Sequence, residues 1–539
     1  MKTNASLTSI KPLTITIMSL ALAGTVSASQ NQYGMSLHHE LVTTHNGAIT
    51  TQPQAAVNAE WDVAAKQVTQ ITDGVYRIAG WGIGNIIALE GPEGWIIVDT
   101  GDNTEYATQQ RKALEKEVGH EITVAGILYT HSHYVHGSTV WLDDNTLVFG
   151  HEDLMDNLQA DAGVNVLSGN FSTRAAIQFG MLHPEQGEDA FYFPHQKVLV
   201  TNAINQGSLF NLYTLRGDIY RDPMRLVQAA DLALMRDIEF HVDIHGAANI
   251  GKDSAREAIT YFRDTMQLIH DQTYRGIAMG KDAQDIAEWI YMPKNLRANN
   301  ETYGQVESYA KQVYNARIGW MGWDVYDINP LTKQQQAKRT IEAMGGVDKV
   351  TSMAQTALEK GDLASIQWSL FLTSQLQNLN AMSDQAKQIR ANSARKLGQH
   401  TTSANARGFY ISEAILHEGS MTFGNETITH YQQLSNILGA LDAHKLAHST
   451  LEDNVQYLRF MIDSRLAENK QVQFNLRFTD KKVNYALELR NGVIAITDHP
   501  NSGKTIELTK TEWDEIILGK SNFATLDEEL KLLDHAIGR

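Results

Sequence analysis

Hydrophobic positions in residues 82–100 form two short apolar runs that are typical of β-strands. The turn-forming sequence GPEG, residues 91–94, separates the two runs. This arrangement predicts a β-hairpin whose second strand ends at Asp99.

A further strand pattern leads directly into a group of histidines. Residues 122–130, ITVAGILYT, are rich in β-branched side chains and short enough for one buried strand. They run into His131, His133 and His136. A polar helical stretch separates this strand from the hairpin, so strands alternate with helices, which predicts α/β layering. Binding sites commonly lie at strand ends in such folds.

Helical periodicity replaces the strand pattern after about Ser254. The following segments up to Ala414 consist mostly of helix-forming residues. The apolar side chains that recur at helical spacing are Ala258, Ile259, Phe262, Met266 and Ile269.

Alternating patterns return near the C-terminus. Val472–Phe478 and Tyr485–Ile496 each predict a strand. Thr511 to Asp514, TEWD, resembles a capping box that opens a last helix. A small α+β domain is therefore expected at the end of the chain.

Composition limits the possible chemistry. A chain of 539 residues exceeds what one core normally organises, so two or three domains are expected. The chain has no cysteine, so a metal would be held by imidazole, carboxylate or water. A net charge of -17, spread along the chain, opposes binding to nucleic acid.

The N-terminus predicts export. Lys2 and Lys11 precede an apolar run that ends in the small residues of Val26-Ser27-Ala28. This order is typical of a secretory signal cleaved near Ala28, which predicts a periplasmic or secreted protein. The alternative, a membrane anchor, requires about 20 apolar residues, and the polar Thr14, Thr16 and Ser19 interrupt this run. No later segment is apolar enough to span a bilayer.

The histidine group predicts metal binding. Neutral imidazole is the commonest zinc ligand, and the spacing of His131 and His133 lets two rings from one extended turn approach one ion, while His136 points to a neighbouring position. The alternative is that these are ordinary surface or hydrogen-bonded histidines. Three of them directly after a buried strand favour a metal-binding ancestry.

Longer runs connect the chain to a known family. THSHYVH, residues 130–136, resembles the T-H-x-H-x-D-H motif of the metallo-β-lactamase superfamily, and Asp99 in WIIVDTG resembles its strand-end aspartate. The chain also resembles bacterial zinc-dependent alkylsulfatases of the detergent-degrading type. The runs that carry this resemblance are SGNFSTRAAIQFG from 168, AFYFP from 190, NLYTLRGDIYRDP from 211, LIHDQT from 268, ALEKGD from 357 and ARGFYISEAILHE from 406.

The resemblance implies the fold class and the domains. We expect an α/β protein in which a metallo-β-lactamase αββα sandwich is followed by a helical dimerisation region and a C-terminal α+β domain similar to sterol carrier proteins. The expected division is a signal peptide at 1–28, a metallo-β-lactamase-like domain at 29–290, a helical dimerisation domain at 291–418 and a sterol-carrier-protein-like domain at 419–539. A homodimer is expected from the helical dimerisation domain.

The resemblance also implies a metal site. In the family two zinc ions share a water or hydroxide, and the matching ligands here are His131 and His133 for the first ion and His136 and His245 for the second. His245 closes the strand-like segment EFHVDIHG, whereas His241 in the same segment is expected to be structural.

A sulfate-binding segment is implied by the run from residue 211. Asn211 and Arg216 would hold the anionic head group, because a planar guanidinium suits sulfate oxygens. The alternative is that Arg216 only pairs with a nearby acid such as Asp218 or Asp222.

The chain departs from the family at three carboxylates. Val135 stands in place of the motif's aspartate, Ala203 in place of the metal-bridging glutamate, and Pro184, beside Glu185, in place of the other glutamate. Two zinc ions close together need anionic ligands. We therefore expect one zinc per chain, with a water on the metal as nucleophile; Glu185, Glu188 and Asp222 are acids that could assist.

Three hypotheses for function follow. The first is a metal-dependent hydrolase that cleaves small amphiphilic sulfate esters of alkyl chains. The second is an inactive homologue that binds amphiphilic anions or a protein partner, and the third is a hydrolase of another ester or a lactam. Retention of all four histidines favours a metal function, and the missing carboxylates weigh against the ancestral chemistry. Of the three, a metal-binding hydrolase is the favoured hypothesis.

Overall fold

A computed structural model describes residues 34–44, 47–60, 66–82, 84–152, 154, 165–179, 191–202, 204, 209, 212–217, 220–297 and 300–539. The predicted signal peptide lies outside these residues. So do six positions discussed above: Pro184, Glu185, Glu188, Ala203, Asn211 and Asp218.

Residues 67–152 form most of the first layer of a sandwich, and residues 34–60 before them form a separate two-stranded sheet and a helix. The elements of residues 34–152 are β1 Leu41–Thr43, β2 Ile49–Thr51, α1 Gln52–Glu60, β3 Gln67–Thr72, β4 Val75–Ala79, β5 Ile86–Gly91, β6 Gly94–Val98, α2 Thr104–Val118, β7 Val124–Leu128, a 3-10 turn Ser132–Val135, α3 Ser138–Trp141 and β8 Leu147–Phe149. Strands β3 to β8 form one sheet in chain order, antiparallel from β3 to β6 and parallel from β6 to β8. The predicted hairpin is confirmed as β5 and β6.

The second layer follows along the chain. Its elements are α4 Ser168–Phe179, β9 Phe191–Phe193, β10 Val198–Thr201, α5 Pro223–Leu234, β11 Phe240–Asp243, β12 Asn249–Ile250 and α6 Lys252–Ala278. The sheet order is β12-β11-β10-β9, with β10 and β11 parallel.

A shared apolar core joins the two sheets. Ile87 and Val98 of the first sheet pack with Val200 and Val242 of the second. Helix α2 covers the outer face of the first sheet, and α5 and α6 cover that of the second. The predicted αββα sandwich is confirmed, because each sheet buries both of its faces.

Helices fill the middle of the chain, as the periodicity predicts. The five apolar side chains that recur from Ala258 to Ile269 are all buried along α6. The helices that follow are α7 Ala283–Trp289, α8 Lys294–Arg297, α9 Val306–Ile318, α10 Lys333–Ala343, α11 Val347–Lys360, α12 Leu363–Asn378, α13 Asp384–His400 and α14 Ala404–Glu418, with 3-10 turns at Asn300–Thr302 and Val325–Ile328.

A smaller α+β unit ends the chain. Its elements are β13 Thr422–Phe423, β14 Glu426–Thr427, α15 Tyr431–Leu438, α16 Ala443–His448, α17 Leu451–Gln456, α18 Leu458–Met461, β15 Val472–Phe478, β16 Val483–Arg490, β17 Val493–Thr497, β18 Lys504–Leu508, α19 Lys510–Ile517, two 3-10 turns (Phe523–Thr525 and Glu528–Leu530) and α20 Lys531–Ala536. Strands β17, β16, β15 and β18 are neighbours in that order in one sheet.

Two predictions in this unit were wrong in detail. The apolar run from Tyr485 to Ile496 is two strands, because Asn491 and Gly492 adopt positive φ of 53° and 77° and turn the chain. The capping box consists of Thr509 and Glu512, so it begins two residues before the predicted Thr511. The helix that it opens, α19, is not the last one, because α20 follows it. Thr509 takes this role because its backbone is extended, while Thr511 already lies within the helix.

Within the described part of the chain, no helix combines the length and the apolar character needed to cross a membrane.

Candidate metal centre and anion-binding segment

The ends of β6 and β7 are joined by hydrogen bonds behind the histidine loop. Asp99, at the end of β6, accepts from the backbone N–H of Thr130 at 2.9 Å and from its hydroxyl at 2.6 Å. The next residue, Thr100, donates its N–H and its hydroxyl to the carbonyl oxygen of Tyr134, both at 2.7 Å. Two adjacent residues thus hold both ends of the segment 130–134.

The histidines of this segment lie in different environments. His131 is buried and His133 half-buried, and their ring centroids are 4.2 Å apart. His136 is exposed at the end of the 3-10 turn. The segment therefore brings two imidazoles together and places the third toward solvent.

Tyr134 lies between this pair and His245. Its ring centroid is 5.6 Å from that of His131, 6.0 Å from that of His133 and 5.7 Å from that of His245. Its hydroxyl oxygen is 3.4 Å from Nε2 of His245. The motif does not single out Tyr134, which occupies one of its variable positions; the signal in the sequence is an aromatic residue inside a histidine group.

Asn85 brings the loop that carries His245 to the first sheet. The N–H of Asn85 donates to the carbonyl of Ile244 at 2.8 Å, and its side chain donates to the carbonyl of Gly246 at 3.1 Å. His245 follows the end of β11 by two residues and is buried. The loop after β11 in the second sheet is thus tied to the first sheet at one edge of the sandwich.

A buried carboxylate supports His245 from behind. Asp243 accepts from the backbone N–H of His245 at 2.9 Å and from the hydroxyl of Thr201 at 2.7 Å. Burial raises the pKa of Asp243, and the neighbouring His245 and these hydrogen bonds oppose that rise. No sequence pattern identified this aspartate.

His241 is part of the same buried network. Its Nε2 lies 2.8 Å from the Thr201 hydroxyl, and its Nδ1 lies 3.1 Å from the Asn249 amide nitrogen. Burial lowers its pKa to about 4, so the ring is neutral at pH 7. Because the Thr201 hydroxyl donates to Asp243, it accepts from Nε2–H of His241.

The segment around Arg216 is held by helix α4. Arg174 donates its Nε–H to the carbonyl of Arg216 at 2.6 Å and a second guanidinium N–H to the carbonyl of Leu215. Gln178, one turn further along α4, accepts from the N–H of Arg216 at 3.0 Å. Two hydrogen bonds with α4 fix the backbone of Arg216, and a third fixes that of Leu215; the Arg216 side chain is buried.

Asp222 serves a local structural role. It is exposed at the start of α5, and its carboxylate accepts from the N–H of Met224 at 2.9 Å. Capping of this kind stabilises the helix N-terminus. Asp218, the other acid considered as a partner of Arg216, lies outside the described residues.

Family models match most parts of the chain. Residues 79–140 match the metallo-beta-lactamase superfamily, 282–419 match alkyl sulfatase dimerisation and 440–532 match the alkyl sulfatase C-terminal model. The chain is 26% identical over 498 residues to a linear primary-alkylsulfatase of a Pseudomonas species, a match that covers 80% of this chain and 93% of that protein. The chain is a divergent member of the alkylsulfatase family within the metallo-β-lactamase superfamily.

Two further comparisons give a second relative and a solved structure that shares the fold. An (R)-specific secondary-alkylsulfatase of a Pseudomonas species is 23% identical over 526 residues, covering 84% of this chain and 76% of that protein. The solved structure of the stereoselective inverting sec-alkylsulfatase Pisa1, also from a Pseudomonas species, superposes with a TM-score of 0.73 at 18% identity, covering 95% of this chain and 94% of that one. The fold is therefore shared over nearly the whole chain.

Membership in the alkylsulfatase family implies a metal ion, and the donors present define how one can be held. Counting only His, Asp and Glu in the described residues, no group of three is placed to hold an ion. The rings of His131, His133 and His245 lie near that of Tyr134, but those distances join ring centroids and not donor atoms. The described part of the chain thus supplies imidazoles, which suit zinc, without bringing three of them to one point.

Proposed function

We propose that this protein is a metal-dependent hydrolase that cleaves sulfate esters of alkyl chains. The observation that carries the proposal is the meeting of the β7 and β11 loops, which brings His245 beside Tyr134, next to the His131 and His133 pair. Among the protein's relatives are enzymes named for alkyl sulfate hydrolysis. The binding-protein hypothesis is not favoured by these comparisons.

The metal is proposed to be zinc, one ion per chain. A bound zinc ion lowers the pKa of water and polarises an ester oxygen. His131 and His133 lie side by side, and His245, which is also buried, lies against the Tyr134 ring that both approach. His136, which is exposed, stays in the proposed ligand set on the family resemblance alone.

Sulfate recognition is proposed for Arg216, with Asn211 assigned from the family resemblance. A planar guanidinium offers paired donors to sulfate oxygens, and burial strengthens such charge-assisted hydrogen bonds. The hydrogen bond that Arg174 donates and the one that Gln178 accepts hold the Arg216 backbone before substrate arrives, which reduces the entropy lost on binding.

A homodimer is proposed through the region that matches alkyl sulfatase dimerisation. Three apolar side chains near the end of α9 are more than 70% exposed: Trp320 at 72%, Trp323 at 74% and Val325 at 76%. Exposed apolar patches of this kind mark interaction surfaces. A periplasmic or secreted location also remains a proposal, resting on residues 1–28.

Release of inorganic sulfate from dodecyl sulfate tests the function. We expect His131→Ala to abolish release, since a ligand of the proposed metal is lost, and Arg216→Ala to weaken it by about 2–3 kcal/mol of transition-state binding. The matched control is His120→Ala, which replaces an exposed histidine whose ring is hydrogen-bonded to the carbonyl of Glu121. Elemental analysis should give one zinc per chain in wild type, Arg216→Ala and His120→Ala, and less in His131→Ala. A wild-type protein that holds metal but releases no sulfate would contradict the proposal.

A further inference from the structure

Helix α14 of the helical region contacts α4 at the two residues that hold the Arg216 segment. Arg174 and Gln178 of α4 are hydrogen-bonded to the Arg216 backbone. Gly408 of α14 lies against the backbone at Gln178, and Phe409 lies beside Arg174. We propose that Gly408 and Phe409 are positioning residues for the anion-binding segment, so that the helical region completes a site carried by the sandwich. This inference rests on the proposed hydrolysis of sulfate esters and deepens it.

The first argument is how closely the two helices approach at Gly408. A Cβ at this position would overlap the carbonyl oxygen of Gln178 and lie 2.5 Å from that of Ile177. Both are backbone atoms, so no rotation of a side chain could relieve the overlap, and a larger residue would displace α4. The Gln178 side chain accepts from the N–H of Arg216 at 3.0 Å, so a displaced α4 would move or break this hydrogen bond.

The second argument is the position of the Phe409 ring. The guanidinium carbon of Arg174 lies 5.8 Å from the centroid of this ring, within the range of cation–π attraction. The same guanidinium donates to the carbonyls of Leu215 and Arg216. A long arginine side chain loses rotamer freedom when it makes such contacts, and a ring beside it restricts that freedom in advance. Phe409 therefore orients the side chain that holds residues 215 and 216.

The third argument is that α4 is also fixed near its start. A Cβ at Gly169 would overlap the carbonyl oxygen of Ser435 and lie 2.8 Å from Cα of Gly439, at the end of α15. Helix α4 thus has close backbone contacts with α15 near its first turn and with α14 near its last turn. Because packed helices transmit displacements, a larger residue at 408 would shift the last turn of α4, which carries Gln178.

Binding of inorganic sulfate to the whole chain, measured by calorimetry, tests this proposal. We expect Gly408→Ala to weaken sulfate binding about tenfold and to raise KM for dodecyl sulfate with little change in kcat, because the anion contact is misplaced. The matched control is Gly398→Ala, another glycine in a helix of the same region. Its Cβ would lie 2.9 Å from Cδ1 of Ile411, the far end of a flexible side chain. This variant should bind sulfate as wild type does.

A second variant separates positioning from general loss of stability. Phe409→Leu keeps an apolar side chain but removes the ring, and we expect it to weaken sulfate binding about threefold. Added to Arg174→Ala, it should cause no further loss, because the ring acts through Arg174. Additive losses in this double variant would overturn the role of Phe409.

The remaining outcomes distinguish this proposal from the proposed function. A folded Gly408→Ala protein with wild-type sulfate affinity would overturn the positioning role. If Gly408→Ala does not fold, unchanged affinity in Phe409→Leu would overturn it instead. A wild-type protein that binds sulfate but releases none from dodecyl sulfate would contradict the proposed function, while the affinities of the variants would still decide the positioning role. A wild-type protein that binds no sulfate would overturn the positioning role and the assignment of Arg216 together.

Discussion

Asp99 and Thr130 are joined by two hydrogen bonds, at 2.9 Å to the backbone N–H and 2.6 Å to the hydroxyl. Thr130 directly precedes His131, so the carboxylate fixes the residue from which the first histidine extends. Asp99 itself has a φ of 61°, a conformation that asparagine also tolerates.

Removing the charge of Asp99 should loosen the histidine loop. Asp99→Asn keeps the backbone preference and the size of the side chain but weakens both hydrogen bonds. We expect the free energy of unfolding to fall by about 1–3 kcal/mol, together with a loss of zinc affinity. Urea unfolding and chelator competition measure the two effects. Unchanged zinc affinity would show that the loop keeps its form without the carboxylate.

Removing Arg174 should impair anion binding while leaving the metal in place. Arg174→Ala deletes the hydrogen bonds to the carbonyls of Leu215 and Arg216. We expect KM for dodecyl sulfate to rise several-fold with kcat less affected, and Arg174→Lys to recover little, because lysine lacks the planar fork. Steady-state kinetics and zinc analysis check this.

Arg263→Ala is the matched control for Arg174, since it removes a partly exposed ion pair with Asp231 in the same domain. Equal KM values for Arg174→Ala and wild type would contradict the positioning role.

Glu301 should make stability depend on pH. Burial raises its pKa to about 7, although the N–H of Val306 donates to it at 2.8 Å. The folded protein therefore binds a proton between about pH 4.5 and 7 that the unfolded chain releases, so stability falls as the pH rises through this range. Glu301→Gln should reduce the difference in unfolding free energy between pH 5 and pH 8 by up to about 3 kcal/mol.

Urea unfolding at both pH values measures this difference. Glu288→Gln, an exposed carboxylate on α7, serves as the control and should leave the pH dependence as it is in wild type. A Glu301→Gln profile that parallels wild type would refute the assignment.

Replacing the exposed tryptophans should disrupt the proposed dimer. Trp320→Ser with Trp323→Ser removes large apolar surfaces that are exposed in the single chain. We expect the sedimenting mass to change from dimer to monomer at micromolar concentration. Phe460→Ser, which changes a 58% exposed side chain in the C-terminal unit, should not change the mass. A dimeric double variant would place the interface elsewhere.

Periodicity in the sequence determined most of the fold. The hairpin before Asp99, the strand before His131 and the apolar face of α6 all follow from local alternation or helical spacing. The sequence patterns located the turn and the helix cap near the C-terminus less accurately. The turn at Asn491 and the cap at Thr509 depend on the backbone angles of single residues, which periodicity does not encode.

The sequence by itself determined the family, the sandwich and the candidate histidines, because these depend on patterns and motifs of neighbouring residues. Only the tertiary structure decided which side chains come together at the candidate site. Tyr134 and His245 are far apart in the chain and come within 3.4 Å because Asn85 ties the β11 loop to the first sheet. Arg174 likewise reaches the Arg216 segment only through the packing of α4. Such contacts join separate elements, and no local spacing encodes them.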